Sequence, residues 1–151
     1  IHNYADFATH LQKFLLENAK IEIINGIDKE YLRKKNIQKI AEKIAVKIKR
    51  YGMQIFWVGN AEASQELTTA VIYSSGTQAE GYEATITALK NFIPIDQVFY
   101  ITGVQKTIID DYGNMLEVFT GADVQIILGN TYFTHLQQNP LKSDEIEILY
   151  R

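Results

Sequence analysis

The sequence predicts an α/β fold, a single Rossmann-like domain with a mixed, mostly buried sheet flanked by helices. Five runs of apolar, β-branched or aromatic residues are nearly continuous, as in strands buried on both faces. Segments with the apolar spacing of helices lie between several of them. In addition, 46% of the 151 residues are hydrophobic, which is enough for one well-filled core.

Composition bears on domain organisation and location. We expect residues 1–151 to form one domain, and the first residue, Ile1 rather than Met, is typical of a processed chain or a piece of a longer one. The absence of cysteine excludes disulfides and thiolate zinc sites and fits a reducing compartment, so we expect a cytoplasmic protein. No apolar run is long enough for a membrane-spanning helix, and no motif indicates a cofactor.

The first third of the chain predicts two helices around a strand. Apolar residues at helical spacing predict a helix over residues 4–18, and Lys20–Asn25 predicts a strand. A loop over Gly26–Glu30 leads into a lysine-rich segment, which we expect to form one long helix capped by Gly52. The apolar positions of its buried face are Ile37, Ile40, Ala41, Ile44, Ala45 and Ile48.

Four more strands and one helix are predicted further along the chain. The strands are Met53–Val58, Thr68–Tyr73, Gln97–Ile101 and Val124–Leu128, and the helix covers residues 79–92 and ends before Pro94. Because only nine residues separate Val58 from Thr68, too few for a parallel crossover, we expect these two strands to form an antiparallel hairpin.

Two shorter segments are less distinctive. Residues 104–120 fit either a hairpin that turns at Asp110–Asn114 or a helix broken at Gly113, and we prefer the hairpin. Alternating apolar and acidic residues predict an edge strand over residues 145–150.

Each buried run ends in small, hydrogen-bonding residues. In an open α/β sheet the ligand crevice lies outside the carboxyl ends of the strands. We therefore predict one crevice that takes its ligand-binding residues from these ends, namely Gly59, Asn60, Ser74, Ser75, Gly76, Thr77, Thr102, Gly103 and Asn130.

The segment Ser74–Thr77 is the best single element of this crevice, because hydroxyls and unpaired amides at the start of a helix suit a phosphate or carboxylate. The fingerprints of a P-loop and of a dinucleotide-binding turn are absent. Glu80, in the first turn of the following helix, and His135, after the last buried strand, are the candidate acid or base residues. Whether the protein is an enzyme stays open.

Two stretches resemble the sugar isomerase (SIS) domain family. Residues 51–64 contain Gly59-Asn60 and Ala63-Ser64, similar to the family's strand and G-N/A-G-x-S turn, and residues 71–80 are similar to its S-x-S-G-x-T/S-x-E phosphate loop. The likeness covers residues 37–103 and lacks the helix that the family places between the two stretches. It implies binding of a sugar phosphate, with Ser74, Ser75 and Thr77 on the phosphate and Glu80 as an acid or base.

Charge divides the chain and suggests other functions. Residues 1–50 carry eleven Lys and Arg against six Asp and Glu, whereas residues 51–151 carry four against twelve. The basic helix over residues 33–50 predicts, as one alternative, a non-catalytic interaction with an acidic partner or a second copy of the chain. Nucleic acid is not expected, because no aromatic residues interleave with these charges.

A further alternative is a metal-dependent nuclease or hydrolase that uses Asp110, Glu117 and Asp123. Our preferred interpretation is the binding of a small phosphorylated ligand, a sugar phosphate or a nucleotide, with isomerase chemistry as an extension.

Overall fold

The computed structural model describes residues 13–74, 82–102, 107–109, 112, 115–117 and 122–138. A helical segment over residues 13–17 precedes the first strand. The elements that follow, in chain order, are β1 (Lys20–Asn25), α1 (Lys29–Lys34), α2 (Ile40–Arg50), β2 (Gln54–Asn60), β3 (Thr69–Ser74), α3 (Glu83–Leu89), β4 (Gln97–Thr102), β5 (Thr107–Ile109), β6 (Met115–Glu117), β7 (Val124–Leu128) and α4 (Asn130–Gln138).

Five strands form one mixed sheet in the order β2-β1-β7-β3-β4. β2, β1 and β7 run parallel to one another, β3 is antiparallel to β7, and β4 is parallel to β3. Two groups of opposite direction therefore meet between β7 and β3. The predicted α/β class, with a mixed sheet flanked by helices, is confirmed. β5 and β6 form a separate antiparallel pair, which confirms the hairpin predicted within residues 104–120.

The two faces of the sheet carry separate apolar clusters, because neighbouring side chains of a strand point to opposite faces. The larger cluster contains Ile21 and Ile23 of β1 together with buried side chains from all four helices. The smaller cluster, on the opposite face, contains Ile24, Val71, Ile101 and Ile127.

Burial follows the position of a strand in the sheet. All five residues of β7 are buried, as are the four central residues of β1. β2 is an edge strand, and its side chains Phe56 and Trp57 are 49% and 45% exposed. The expectation that every apolar run is buried on both faces is therefore wrong for the two edge strands, β2 and β4, since Tyr100 of β4 is also 50% exposed. Side chains of an edge strand have neighbouring side chains on one flank only, so less of their surface is covered.

The lysine-rich segment forms two helices, so the prediction of one continuous basic helix over residues 33–50 is wrong. After α1, Asn36 adopts a left-handed conformation with a φ of 54°. The amide of Asn36 donates to the carbonyl of Arg33 (3.1 Å), and the amide of Ile37 donates to the carbonyl of Leu32 (2.9 Å). These two bonds are the Schellman ending of a helix, which asparagine accepts at a lower cost than most residues.

The second helix of this segment, α2, has the predicted buried face and packs against β1 and β2. Gly52, with a φ of 93°, follows its last turn, as the sequence predicts. Its buried residues are Ile40, Ala41, Ile44, Ala45 and Ile48.

β2 and β3 are not neighbours, so the predicted antiparallel hairpin is wrong. β1 and β7 lie between them, and the connecting residues 61–68 cross the ends of both strands. Three strand spacings amount to about 14 Å, which an extended chain of this length spans easily. The Gln65 amide donates to the Gly26 carbonyl (2.8 Å), and the Asn130 amide donates to the Gln65 carbonyl (3.0 Å). The crossing is therefore fixed to both strand ends.

Candidate functional site

The predicted ligand residues that the structure describes do not share one crevice, because the strands that carry them end at opposite edges of the sheet. β1, β2 and β7 end at one edge, here named the carboxyl edge, which holds Gly59, Asn60 and Asn130. β3 runs antiparallel to β7, so Ser74 and Thr102 lie at the other edge. Ser75, Gly76, Thr77, Glu80 and Gly103 lie outside the described residues.

A polar cleft of about 370 Å³ opens at the carboxyl edge, beside the ends of β1 and β2. Residues 25–29, which lead from β1 into α1, form one part of its lining, and residues 60–64, which follow β2, form the other. The volume lies within the range of small-molecule sites. We call it the β1–β2 cleft.

Gly26 allows the end of β1 to approach β7 closely. A Cβ at this position would lie 2.8 Å from the carbonyl oxygen of Leu128, and the Gly26 amide donates to that same oxygen (2.8 Å). The chain then passes directly into α1, and its residues Asp28 and Lys29 line the cleft.

Residues 61–65 form a short strap along the cleft. Its first and last amides donate to the carbonyls of Asn25 (2.9 Å) and Gly26 (2.8 Å), so both ends of the strap are fixed to the end of β1. Within the described residues, the three amides between these anchors, those of residues 62–64, have no hydrogen-bond partner. Successive unpaired amides are a common element of anion-binding sites.

The polar side chains of the cleft are partly fixed and partly open. The Oδ1 atoms of Asn25 and Asp28 each accept a hydrogen bond from the amide two residues further along, at 3.1 and 2.9 Å. Lys29, Asn60 and Glu62 are exposed, and their side chains form no ion pair or hydrogen bond in the part of the chain that the structure describes. The cleft therefore presents an ammonium group, amides and carboxylates to solvent.

Asn130 supports this cleft instead of lining it. Its Oδ1 accepts a hydrogen bond from the amide of Asp28 (2.9 Å), and its Nδ2 donates to the carboxylate of Glu66 (3.0 Å). The first two amides of α4, those of Asn130 and Thr131, donate to the carbonyls of Gln65 and Glu66, both at 3.0 Å. These donors are consequently engaged by the β2–β3 connection.

Two other predicted site residues do not line the cleft. The ring of Trp57 lies over Gly59, which has no side chain to obstruct it. His135 is half-buried in the last turn of α4 and stacks on Tyr132, with ring centroids 6.0 Å apart.

At the other edge of the sheet, the first turn of α3 binds a carboxylate of the chain itself. Glu17 accepts hydrogen bonds from the amides of Ala84 (3.0 Å) and Thr85 (2.7 Å) and from the Thr85 hydroxyl (2.6 Å). The predicted phosphate cradle relied on amides at the start of the helix that follows Ser74. In the part of that helix which is described, these two amides are already engaged by Glu17.

The carboxylate of Asp123 is also engaged. Its carboxylate accepts a hydrogen bond from the amide of Lys20 (2.8 Å) and another from the hydroxyl of Tyr82. Burial raises the pKa of Tyr82, and the negative charges of Asp123 and Glu17 raise it further. The phenol therefore stays protonated near neutral pH and acts as a hydrogen-bond donor.

Of the three carboxylates predicted as metal ligands, Asp110 lies outside the described residues and Glu117 belongs to β6. Asp123 makes the contacts given above. In the ranges that the structure covers, no group of three His, Cys, Asp or Glu side chains could hold a metal ion.

The basic segment 33–50 is divided between α1 and α2, and some of its charges contact neighbouring groups. Arg33 forms an exposed ion pair with Glu30 at 2.6 Å, and the Lys47 ammonium lies 5.8 Å from the centroid of the Phe92 ring. Interaction with an acidic partner or a second copy stays a prediction, which these contacts do not test.

The centre of the sheet contains an ionisable group that the sequence analysis did not consider. Glu22 of β1 is 2% exposed, and its Oε2 accepts a hydrogen bond from Nε2 of Gln125 (3.1 Å). Oε1 of Gln125 is buried and has no partner in the described part of the chain. Burial raises the pKa of the Glu22 carboxyl, and the hydrogen bond from Gln125 offsets only part of this effect.

Comparisons with protein-family models, curated proteins and solved structures found no match to the chain. The resemblance to the sugar isomerase family therefore stays a prediction. Across the described ranges, no helix has the length and hydropathy needed to cross a membrane.

The sequence analysis missed the charged residues of the cleft, Asp28, Lys29 and Glu62. Their signal was available, because each follows the end of a parallel strand by only a few residues. The small residues at the strand ends form the more regular pattern in the sequence, because they recur after every buried run.

Proposed function

We propose that the protein binds a small phosphorylated ligand, a sugar phosphate or a nucleotide, in the β1–β2 cleft. The observation that carries the proposal is the position of this polar cleft of about 370 Å³ outside the carboxyl ends of two parallel strands. Open α/β sheets bind their ligands at this position. The proposed ligand class is the one that the sequence predicts. The proposed location differs: the site consists of residues 25–29 and 60–64 instead of Ser74–Thr77.

Two kinds of donor support phosphate binding at this cleft. Lys29 is exposed, and the amides of residues 62–64 have no partner within the described residues. An ammonium group and successive amides bind phosphate oxygens through charge-assisted hydrogen bonds. Asn25 and Asn60 add side-chain amides, which can donate to and accept from the hydroxyl groups of a sugar.

The proposal concerns binding and includes no catalytic step. Isomerase chemistry was expected from Glu80 or His135. Glu80 lies outside the described residues, and His135 is not among the residues that line the cleft.

Removal of the cleft's cation tests the proposal. We expect Lys29→Ala to weaken the binding of a pentose monophosphate by about tenfold, because one charge-assisted contact is lost. The free energy of unfolding should not change, since Lys29 is exposed. Isothermal titration calorimetry measures the affinity, and thermal unfolding with and without ligand provides an independent readout.

Lys34→Ala is the matched control, because Lys34 is exposed in the last turn of the same helix and does not line the cleft. Its affinity should equal that of the unmodified chain. If both variants lose affinity equally, or if neither variant loses affinity, the ligand binds outside the cleft. A chain that binds neither pentose monophosphate, AMP nor inorganic phosphate would not have the proposed function.

A further inference from the structure

We infer that the β1–β2 cleft selects monophosphates that carry neighbouring hydroxyl groups, and that Glu62 is the residue that recognises those hydroxyls. The inference rests on the proposed function and names the ligand class for the same site. Without a divalent cation, nucleoside diphosphates and triphosphates are disfavoured.

The charge of the cleft favours a single phosphate group. Its lining contains one cation, Lys29, and two carboxylates, Asp28 and Glu62. A single phosphate group can be bound by Lys29 together with the amides of residues 62–64. Each further phosphate would bring more negative charge into a cleft whose side chains are already net negative, and like charges in such a site repel.

The two carboxylates of the cleft differ in their hydrogen bonds. Asp28 is constrained, because its amide donates to Asn130 (2.9 Å) and its Oδ1 accepts from the amide of Glu30 (2.9 Å). Glu62 is exposed, and neither of its carboxylate oxygens has a partner in the described ranges. Both carboxylate oxygens of Glu62 can therefore accept hydrogen bonds from a ligand.

A carboxylate without a partner suits a pair of hydroxyl groups. Its two oxygens can accept hydrogen bonds from two neighbouring hydroxyl groups at once, as acidic residues do with ribose in dinucleotide-binding folds. Asn60, exposed at the end of β2 and two residues before Glu62, adds a side chain that both donates and accepts. The side chains of Asn60 and Glu62 thus recognise the hydroxyls, while the Lys29 ammonium and the backbone amides of residues 62–64 hold the phosphate.

Calorimetry on the full chain in the presence of EDTA tests this selectivity. The ligands are a pentose monophosphate, its analogue that lacks one of two neighbouring hydroxyls, AMP and ATP. We expect the deoxy analogue to bind about tenfold more weakly than the pentose monophosphate, because a hydrogen bond to a charged group is lost. We expect ATP to bind about tenfold more weakly than AMP.

Glu62→Gln preserves the size of the side chain and removes its charge. We therefore expect two affinity ratios, that of the pentose monophosphate to its deoxy analogue and that of AMP to ATP, to fall below about threefold. Glu42→Gln is the matched control, because Glu42 is an exposed carboxylate on α2 outside the cleft, and both ratios should stay unchanged. Thermal unfolding verifies that each variant is folded.

The possible failures are distinguishable. Two results would overturn the inference and leave the proposed function standing, provided that binding still depends on Lys29. In the first, the pentose and deoxypentose ligands bind with equal affinity. In the second, ATP binds as tightly as AMP. Unchanged ratios in Glu62→Gln would overturn the role of Glu62. Absence of binding by every ligand would overturn the proposed function and the inference together.

Discussion

At the scale of single residues, Asn130 shows how a side chain that follows a strand can support a cleft without lining it. It joins the start of α1 to the β2–β3 connection, through Asp28 and Glu66. The sequence correctly places Asn130 just after β7, but assigns it to ligand binding. Its partners are 102 and 64 residues away along the chain, so local sequence carries no sign of them.

Glu22 offers a stability test at the same scale. We expect Glu22→Gln to raise the free energy of unfolding at neutral pH by about 1 kcal/mol, because a buried carboxylate is replaced by a neutral amide. The new amide could also donate to the unpartnered Oε1 of Gln125. Denaturant unfolding of both proteins over a range of pH measures the difference.

The pH dependence has a definite sign. Burial raises the pKa of the folded-state carboxyl above its ordinary value of 4.5. The unmodified chain is therefore most stable, with respect to this group, below that value, and it loses stability as the pH rises through the folded-state pKa. The advantage of Glu22→Gln should be small in acid and grow with pH. A variant that is less stable than the unmodified chain at every pH would contradict this interpretation.

At the scale of elements, strands buried in the centre of the sheet were the most predictable. Val124–Leu128 has the predicted bounds, and all five residues are buried. A run that is apolar, and mostly β-branched, except at Gln125 is typical of a strand covered on both faces. The basic segment was less predictable. Apolar residues continue at helical spacing from Ile37 into α2, so the sequence favours one continuous helix. The signal for the end of α1 is a single residue, Asn36.

Asn36 provides the test of that helix ending. We expect Asn36→Ala to lower the free energy of unfolding by about 1 kcal/mol, because alanine resists the left-handed conformation. Asn36→Gly should be neutral or stabilising, since glycine adopts a positive φ without a steric cost. Chemical denaturation curves of the two variants give both values.

Gln38→Ala serves as the control, because Gln38 is exposed in the same connection and has no positive φ. Its stability should match that of the unmodified chain. Identical unfolding midpoints for Asn36→Ala and Asn36→Gly would show that α1 does not end in a left-handed residue.

At the scale of the whole molecule, the order and direction of the strands decide where a site can form. The sequence indicates that the strands exist, and the short β2–β3 connection limits how they can be joined. It does not reveal that this connection crosses β1 and β7, because the decisive contacts join residues far apart in sequence. As a result, the sequence could group Asn60 with the end of β1, but it could not show that Ser74 and Thr102 lie at the opposite edge of the sheet.

The most direct test of the central claim is to locate a bound ligand on the chain. Titration of the full chain with a pentose monophosphate, followed through its amide resonances by nuclear magnetic resonance, reports every backbone position that the ligand affects. We predict the largest shifts at the amides of residues 62–64 and Lys29, with little change in α3. Largest shifts over residues 74–82, or no shift at any amide, would contradict binding in the β1–β2 cleft.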